Sequence, residues 1–207
     1  MSSRNNRISR KINLSKRVLI LCEGESEKIY VNGYRTEESN RRRLSNVEVE
    51  IYQPKDYSPY GLLQEAKRKS KEAKKDKMPY HSIWIIFDRD GHANIPKTFE
   101  EAQDVQIRII FSSICFETWI LLHFEQRKHA CKNYDELQKY ISKKKYLNYD
   151  KTNYYTYLSE THKQNAKENA KWLHGQNTMD IERNIPIYEL NPYTNFDELM
   201  DYLEQLK

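Results

Sequence analysis

Two apolar runs without polar interruption, Val18-Leu19-Ile20-Leu21-Cys22 and Ile83-Trp84-Ile85-Ile86-Phe87, each end directly on acid: Glu23-Gly24-Glu25 after the first, Asp88-Arg89-Asp90-Gly91 after the second. A short continuous apolar run is the signature of a strand buried on both faces, as in the middle of a parallel sheet. Val47–Tyr52 alternates with period two and predicts a strand with one wet face, and Val105–Phe111 predicts a fourth strand. Between these lie helical stretches at Ser26–Tyr34 and Pro59–Lys77, the latter with proline at its start. The order β-α-β-α-β-α-β predicts an α/β fold with an open, mostly parallel sheet flanked by helices.

From Cys115 the strand signals fade. Helices are expected over Phe116–Phe124, Asp135–Lys144, Thr161–His174 and Asn195–Leu206. The chain therefore divides into a basic N-terminal arm (1–16), an α/β domain (17–125) and a helical extension packed on it (126–207). At 207 residues it is long enough to bury a full core without staples. Three widely spaced cysteines read as reduced structural thiols. No apolar run reaches membrane-spanning length, and the basic start has no signal-peptide core, so a cytoplasmic protein with no membrane partner is expected.

In open α/β sheets ligands bind beyond the carboxyl ends of the strands. Neighbouring first and third strands would bring Glu23, Asp88 and Asp90 to one rim. Converging carboxylates repel, and a hard cation such as Mg²⁺ relieves the repulsion. Two of only five glycines, Gly24 and Gly91, follow these acids, where tight turns or close approach need small residues. Glu27 lies one helical turn past Glu23. A lone Asp-x-Asp is often just a turn; paired with Glu-Gly after another buried strand, it is far more restrictive.

Thirty-five Lys and Arg against 30 Asp and Glu give only +5, yet the cations come in blocks. They occupy the arm up to Arg17, then Arg41–Arg43, then Lys67-Arg68-Lys69-Ser70-Lys71 through Lys74 and Lys75, then Lys143–Lys145. Arg17, Lys67, Arg68, Lys71, Lys74 and Lys75 are the candidate nucleic-acid contacts; solvated helix faces are the bland alternative. Seven of 16 tyrosines fall in 134–157, either as stacking platforms for bases or as the seal of a helical layer.

The pairing of strand–Glu-Gly with strand–Asp-x-Asp resembles the Toprim fold of topoisomerases, bacterial primases, recombination-repair proteins and OLD-type nucleases. VLILCEGESE (18–27), WIIFDRDG (84–91), CFETWILLHF (115–124) and NPYTNF (191–196) more closely resemble the RloB-like family of prokaryotic phage-defence proteins, which includes abortive-infection components. The resemblance implies Glu23 as general acid/base, Asp88 and Asp90 as ligands of Mg²⁺ (Mn²⁺ as the alternative ion), and Glu27 as a further acid. Glu117, an acid inside an apolar helix, either completes the metal site or is a structural, arginine-paired carboxylate. The family's Asn-Pro-Cys-Phe-Glu block is replaced here by Ser113-Ile114-Cys115-Phe116-Glu117. His123 reads as a satisfied core histidine, and the other histidines form no zinc pattern with the cysteines.

The expectation is then a metal-dependent nuclease hydrolysing phosphodiester bonds of DNA or RNA, transfer RNA included. The resemblance further implies an effector of an anti-phage abortive-infection system with a partner AAA/ABC-type ATPase; the chain itself has no phosphate-binding G-x-x-x-x-G-K-[ST] motif, so any nucleotide-driven control would come from that partner. The rival is a non-catalytic Toprim-like subunit that binds nucleic acid or the ATPase. A homo-oligomer stays open.

Overall fold

A computed structural model of the chain describes residues 16–89, 91–144 and 149–206. The arm's residues 1–15, Asp90 and residues 145–148, with Lys145 and Tyr146, lie outside them. In chain order the elements are β1 (Lys16–Cys22), α1 (Glu25–Thr36), α2 (Glu38–Arg43), β2 (Val47–Tyr52), α3 (Pro59–Lys75), β3 (Ser82–Asp88), α4 (Ile95–Asp104), β4 (Arg108–Ser113), α5 (Glu117–Leu122), α6 (Tyr134–Ser142), α7 (Glu160–Glu182), β5 (Tyr193–Thr194) and α8 (Phe196–Gln205).

The sheet is open, with strand order β2-β1-β3-β4-β5; the first four strands are parallel and β5 runs antiparallel to β4. The uninterrupted apolar runs have the expected cause, since both faces are covered. Val18, Ile20, Cys22, Trp84 and Ile86 point into a core shared with α1, α5, α7 and α8. Leu19, Leu21, Ile83, Ile85 and Phe87 point into a second core under α3 and α4. Period-two β2 pairs along β1 at the sheet edge, with Val49 buried and Glu48 and Glu50 tied to Arg17 and Lys69 on the other face.

Helix starts follow local chemistry. The Ser58 hydroxyl accepts from the Gly61 N–H at 3.1 Å with Pro59 in the first turn, and Asn133 accepts from the Glu136 N–H at 3.0 Å. The extension is less purely helical than its sequence suggests: Tyr193 and Thr194 pair with Ser113 and Ser112 as a fifth strand. Two residues are too few to show a strand period in the sequence. The fold places a switch in connection direction between β1 and β3, the place where doubly wound sheets of this order bind ligands.

Candidate functional site

Register builds the site. Cys22 pairs with Ile86, so the residues just beyond, Glu23 and Asp88, emerge together at the carboxyl rim. Glu23 continues the ladder, its N–H donating to the Ile86 carbonyl at 3.0 Å. Its Oε2 accepts the Asp88 main-chain N–H at 2.9 Å, and its Oε1 lies 2.7 Å from His92 Nε2. The Gln53 amide donates to the Glu23 carbonyl at 2.7 Å, tying the β2–α3 loop to the same turn.

Glu27 follows one turn along α1 and is only 3% exposed. Its Oε2 is buried and has no hydrogen-bond partner among the described residues, and the same holds for Asp88 Oδ1. Burial pushes the Glu27 carboxyl up to about 7, helped by the charges of Glu23 and Glu117. Asp88 is also pushed well above the carboxylate range, first by burial and then by Glu27 and Glu23. The glycine between the acids is required for space: a Cβ at Gly24 would stand 2.5 Å from Glu27 Oε2. Gly91 adopts φ +71°, which favours glycine in the turn after the second acidic group.

Glu117, in the first turn of α5, is 3% exposed and lines the same cleft. Its Oε1 accepts the Tyr149 hydroxyl at 2.8 Å and lies 3.6 Å from Lys151 Nζ. Burial and this carboxylate push the Tyr149 phenol upward, so it remains a donor. The partners of Glu117 among the described residues are thus a tyrosine and a lysine, not the arginine that the structural alternative expects. The preceding Ser113–Ile114 peptide is cis. Glu23, Glu27, Asp88 and Glu117 thus line one open cleft of about 460 Å³, with Tyr57, Tyr134 and Lys151 on its walls.

Whether these residues suit a divalent cation turns on the donors. Two buried, unpartnered carboxylate oxygens whose ionisation is opposed by their neighbours are what a hard cation satisfies. Among the described residues no three His, Cys, Asp or Glu side chains are drawn together as a ligand set. Glu23 is turned toward Asp88 N–H and His92, and Asp90 lies outside the described residues. The donor chemistry suits an ion, which Glu27 and Asp88 would hold among the described side chains.

Three residues at the site carry no sequence pattern that assigns them to it. His92 fits no zinc pattern, yet it stands just past the acidic turn and meets Glu23. Tyr149 and Lys151 approach Glu117 from more than 30 residues away, and only the tyrosine-rich composition hinted at them. His123 is the core histidine expected: fully buried, its Nε2 2.9 Å from the Tyr30 hydroxyl and its Nδ1 3.0 Å from the Trp119 carbonyl, and pushed down to about 3 by burial.

The candidate cations do not gather here. Arg17 is the second residue of β1, bonded to Glu48 at 2.8 Å and lying over the Tyr80 ring. Lys67 pairs with Glu101 at 2.5 Å, and Arg68 with Glu65 and Glu72. Lys71, Lys74 and Lys75 are exposed on the last turns of α3, which precede β3, whereas the acids follow it. A seven-residue strand separates the two groups, roughly 20 Å.

No helix among the described residues is long and apolar enough to cross a membrane. No curated protein matches the chain. The family model for RloB-like proteins matches residues 18–203, from β1 to α8 and across every element of the cleft. On that match over most of its length, the chain belongs to the RloB-like protein family.

Proposed function

We propose that this chain is a Mg²⁺-dependent nuclease that hydrolyses phosphodiester bonds of DNA or RNA, as effector of an anti-phage abortive-infection system controlled by a partner ATPase. The observation that carries the enzymatic part is the pair of buried, unpartnered oxygens, Glu27 Oε2 and Asp88 Oδ1, in a cleft at the switch point of the sheet. The defence role and the ATPase rest on the family resemblance alone.

Asp88 and Glu27 would hold the ion, joined by Asp90 as the resemblance implies. The ion, when bound, supplies positive charge against the scissile phosphate and eases deprotonation of water. Glu23 acts on protons. Its Oε1 is within hydrogen-bond reach of His92 Nε2, so a proton taken at Oε1 can be shared with the imidazole. The Asp88 N–H fixes the other oxygen and sets the carboxylate's orientation. Glu117 is held by Tyr149 and Lys151, which suits it to shaping the wall and its field.

The test is cleavage of labelled single-stranded and duplex DNA and RNA, transfer RNA included, with Mg²⁺, Mn²⁺ or EDTA, alone and with a candidate ATPase. Divalent-dependent cleavage that disappears in Asp88→Asn supports the reading. Binding without cleavage in every arm would establish the non-catalytic subunit instead. Phage plating on cells carrying wild type or Asp88→Asn, with the ATPase, tests the defence role separately.

A further inference from the structure

The carboxylate cleft has a second kind of wall. Tyr57 is 55% exposed although it is a large aromatic side chain, and it lines the cleft with Glu27 and Asp88. A single exposed ring usually means little. This one sits on a braced loop: Gln53 donates to the Glu23 carbonyl, and Asp56 Oδ1 accepts the Ser58 N–H at 3.1 Å and hydroxyl at 2.7 Å just before α3. A braced backbone leaves only the ring's own rotation to be lost on binding.

Lys151 is the one cation lining the cleft among the described residues. Its ammonium lies 4.3 Å from the centre of the Tyr134 ring and 3.6 Å from Glu117 Oε1, an oxygen already receiving the Tyr149 hydroxyl. The lysine side chain is 53% exposed. The contact is long and the lysine side chain half exposed, so the ammonium can reach a further anion, while buried Glu117 keeps the Tyr149 hydroxyl.

We propose that Tyr57 and Lys151 make the cleft a site for an unpaired nucleotide of a polynucleotide strand, the ring stacking on the base and the ammonium meeting a backbone phosphate. About 460 Å³ is the scale of a site for one small-molecule-sized unit. Bases within a duplex are stacked on both faces, so a ring takes one only where it is unpaired or turned out. The nuclease reading is needed only for the corollary that scission falls in single-stranded segments; binding stands apart from it.

The experiment is fluorescence anisotropy of labelled ribo- and deoxyribo-oligonucleotides, as single strands and as hairpin duplexes, with the full chain in EDTA so that nothing is cut. At least one sugar form should bind as a single strand about tenfold or more tighter than as a duplex. Tyr57→Ala should weaken single-strand binding about tenfold with the salt slope unchanged, and Tyr57→Phe should retain it. Lys151→Gln should lower the salt slope by about 0.7, with Lys151→Arg restoring it. Thermal melting of each variant separates lost contacts from lost folding. Duplex binding as tight as single-strand binding in both sugar forms, or unchanged binding in folded Tyr57→Ala and Lys151→Gln, overturns the proposal. Single-strand binding by wild type that drops in these variants, with no cleavage in Mg²⁺ or Mn²⁺, upholds it while removing the nuclease. Cleavage by wild type with binding untouched in both variants does the reverse.

Discussion

Asp88 donates its main-chain N–H to Glu23 Oε2 at 2.9 Å, so the acid that ends one strand is oriented by the backbone of its neighbour. Glutamine at position 23 keeps an oxygen acceptor there but cannot take up a proton as a carboxylate does. Glu23→Gln is therefore expected to lower cleavage by about 10²–10⁴-fold. Its unfolding free energy should stay within about 1 kcal/mol of wild type, the scale of one hydrogen bond. Paired activity and urea-melt measurements check this; loss of stability parallel to loss of activity would make Glu23 a structural residue.

Glu27 makes folding depend on pH. Its carboxyl titrates near 7 in the fold against an ordinary value of 4.5. Because the folded value is the higher one, the stabilisation is fully present below pH 4.5 and is lost as pH rises through 7. The metal-free protein should lose on the order of 2 kcal/mol from this group between about pH 5 and pH 8. Glu27→Gln should flatten that part of the curve. Urea midpoints over a pH series in EDTA decide it, and parallel curves for the two proteins would contradict it.

Gly24→Ala isolates the space that Glu27 needs. A methyl group 2.5 Å from Glu27 Oε2 must displace the carboxylate, since real contacts of this kind are longer. Cleavage should fall at least tenfold while circular dichroism stays native. Unchanged cleavage would show that the Glu27 position is immaterial.

Tyr149→Phe removes the hydroxyl donated to buried Glu117 Oε1. Leaving a buried carboxylate one partner short is expected to cost about 1–3 kcal/mol. Denaturant unfolding measures it, and a change below a few tenths would mean that Lys151 alone satisfies Glu117.

The α3 cations stand at the opposite end of the strands from the acids. Replacing Lys71, Lys74 and Lys75 with alanine should leave cleavage of short oligonucleotides within about twofold, the cleft being untouched. Any effect on long substrates should vanish at high salt, as phosphate contacts do. A large loss on short substrates would mean that α3 reaches the cleft in the working complex.

Sheet and acidic rim were legible because a strand buried on both faces writes an unbroken apolar run, and the residue after it must lie at the rim. Val18–Cys22 and Ile83–Phe87 showed this, and β1–β3 pairing then brings Glu23 to Asp88. Partners distant in sequence leave no such trace. His92 on Glu23 and Tyr149 and Lys151 on Glu117 depend on loops whose paths no local pattern encodes. Helix α2, only six residues long and carrying Arg41–Arg43, was too short and too polar to show a period. The cation blocks are a related case: their clustering along the chain does not show that Arg17, Lys67 and Arg68 stand beside Glu48, Glu101 and Glu65.

The central claim, that Glu27 and Asp88 await a divalent cation, is tested most directly by calorimetric titration of Mn²⁺ and Mg²⁺ into wild type and Glu27→Gln/Asp88→Asn at pH 8. Saturable binding by wild type, absent from a double variant that melts as a folded protein, is the predicted result. Equal heats in the two proteins, or none in wild type, would contradict it.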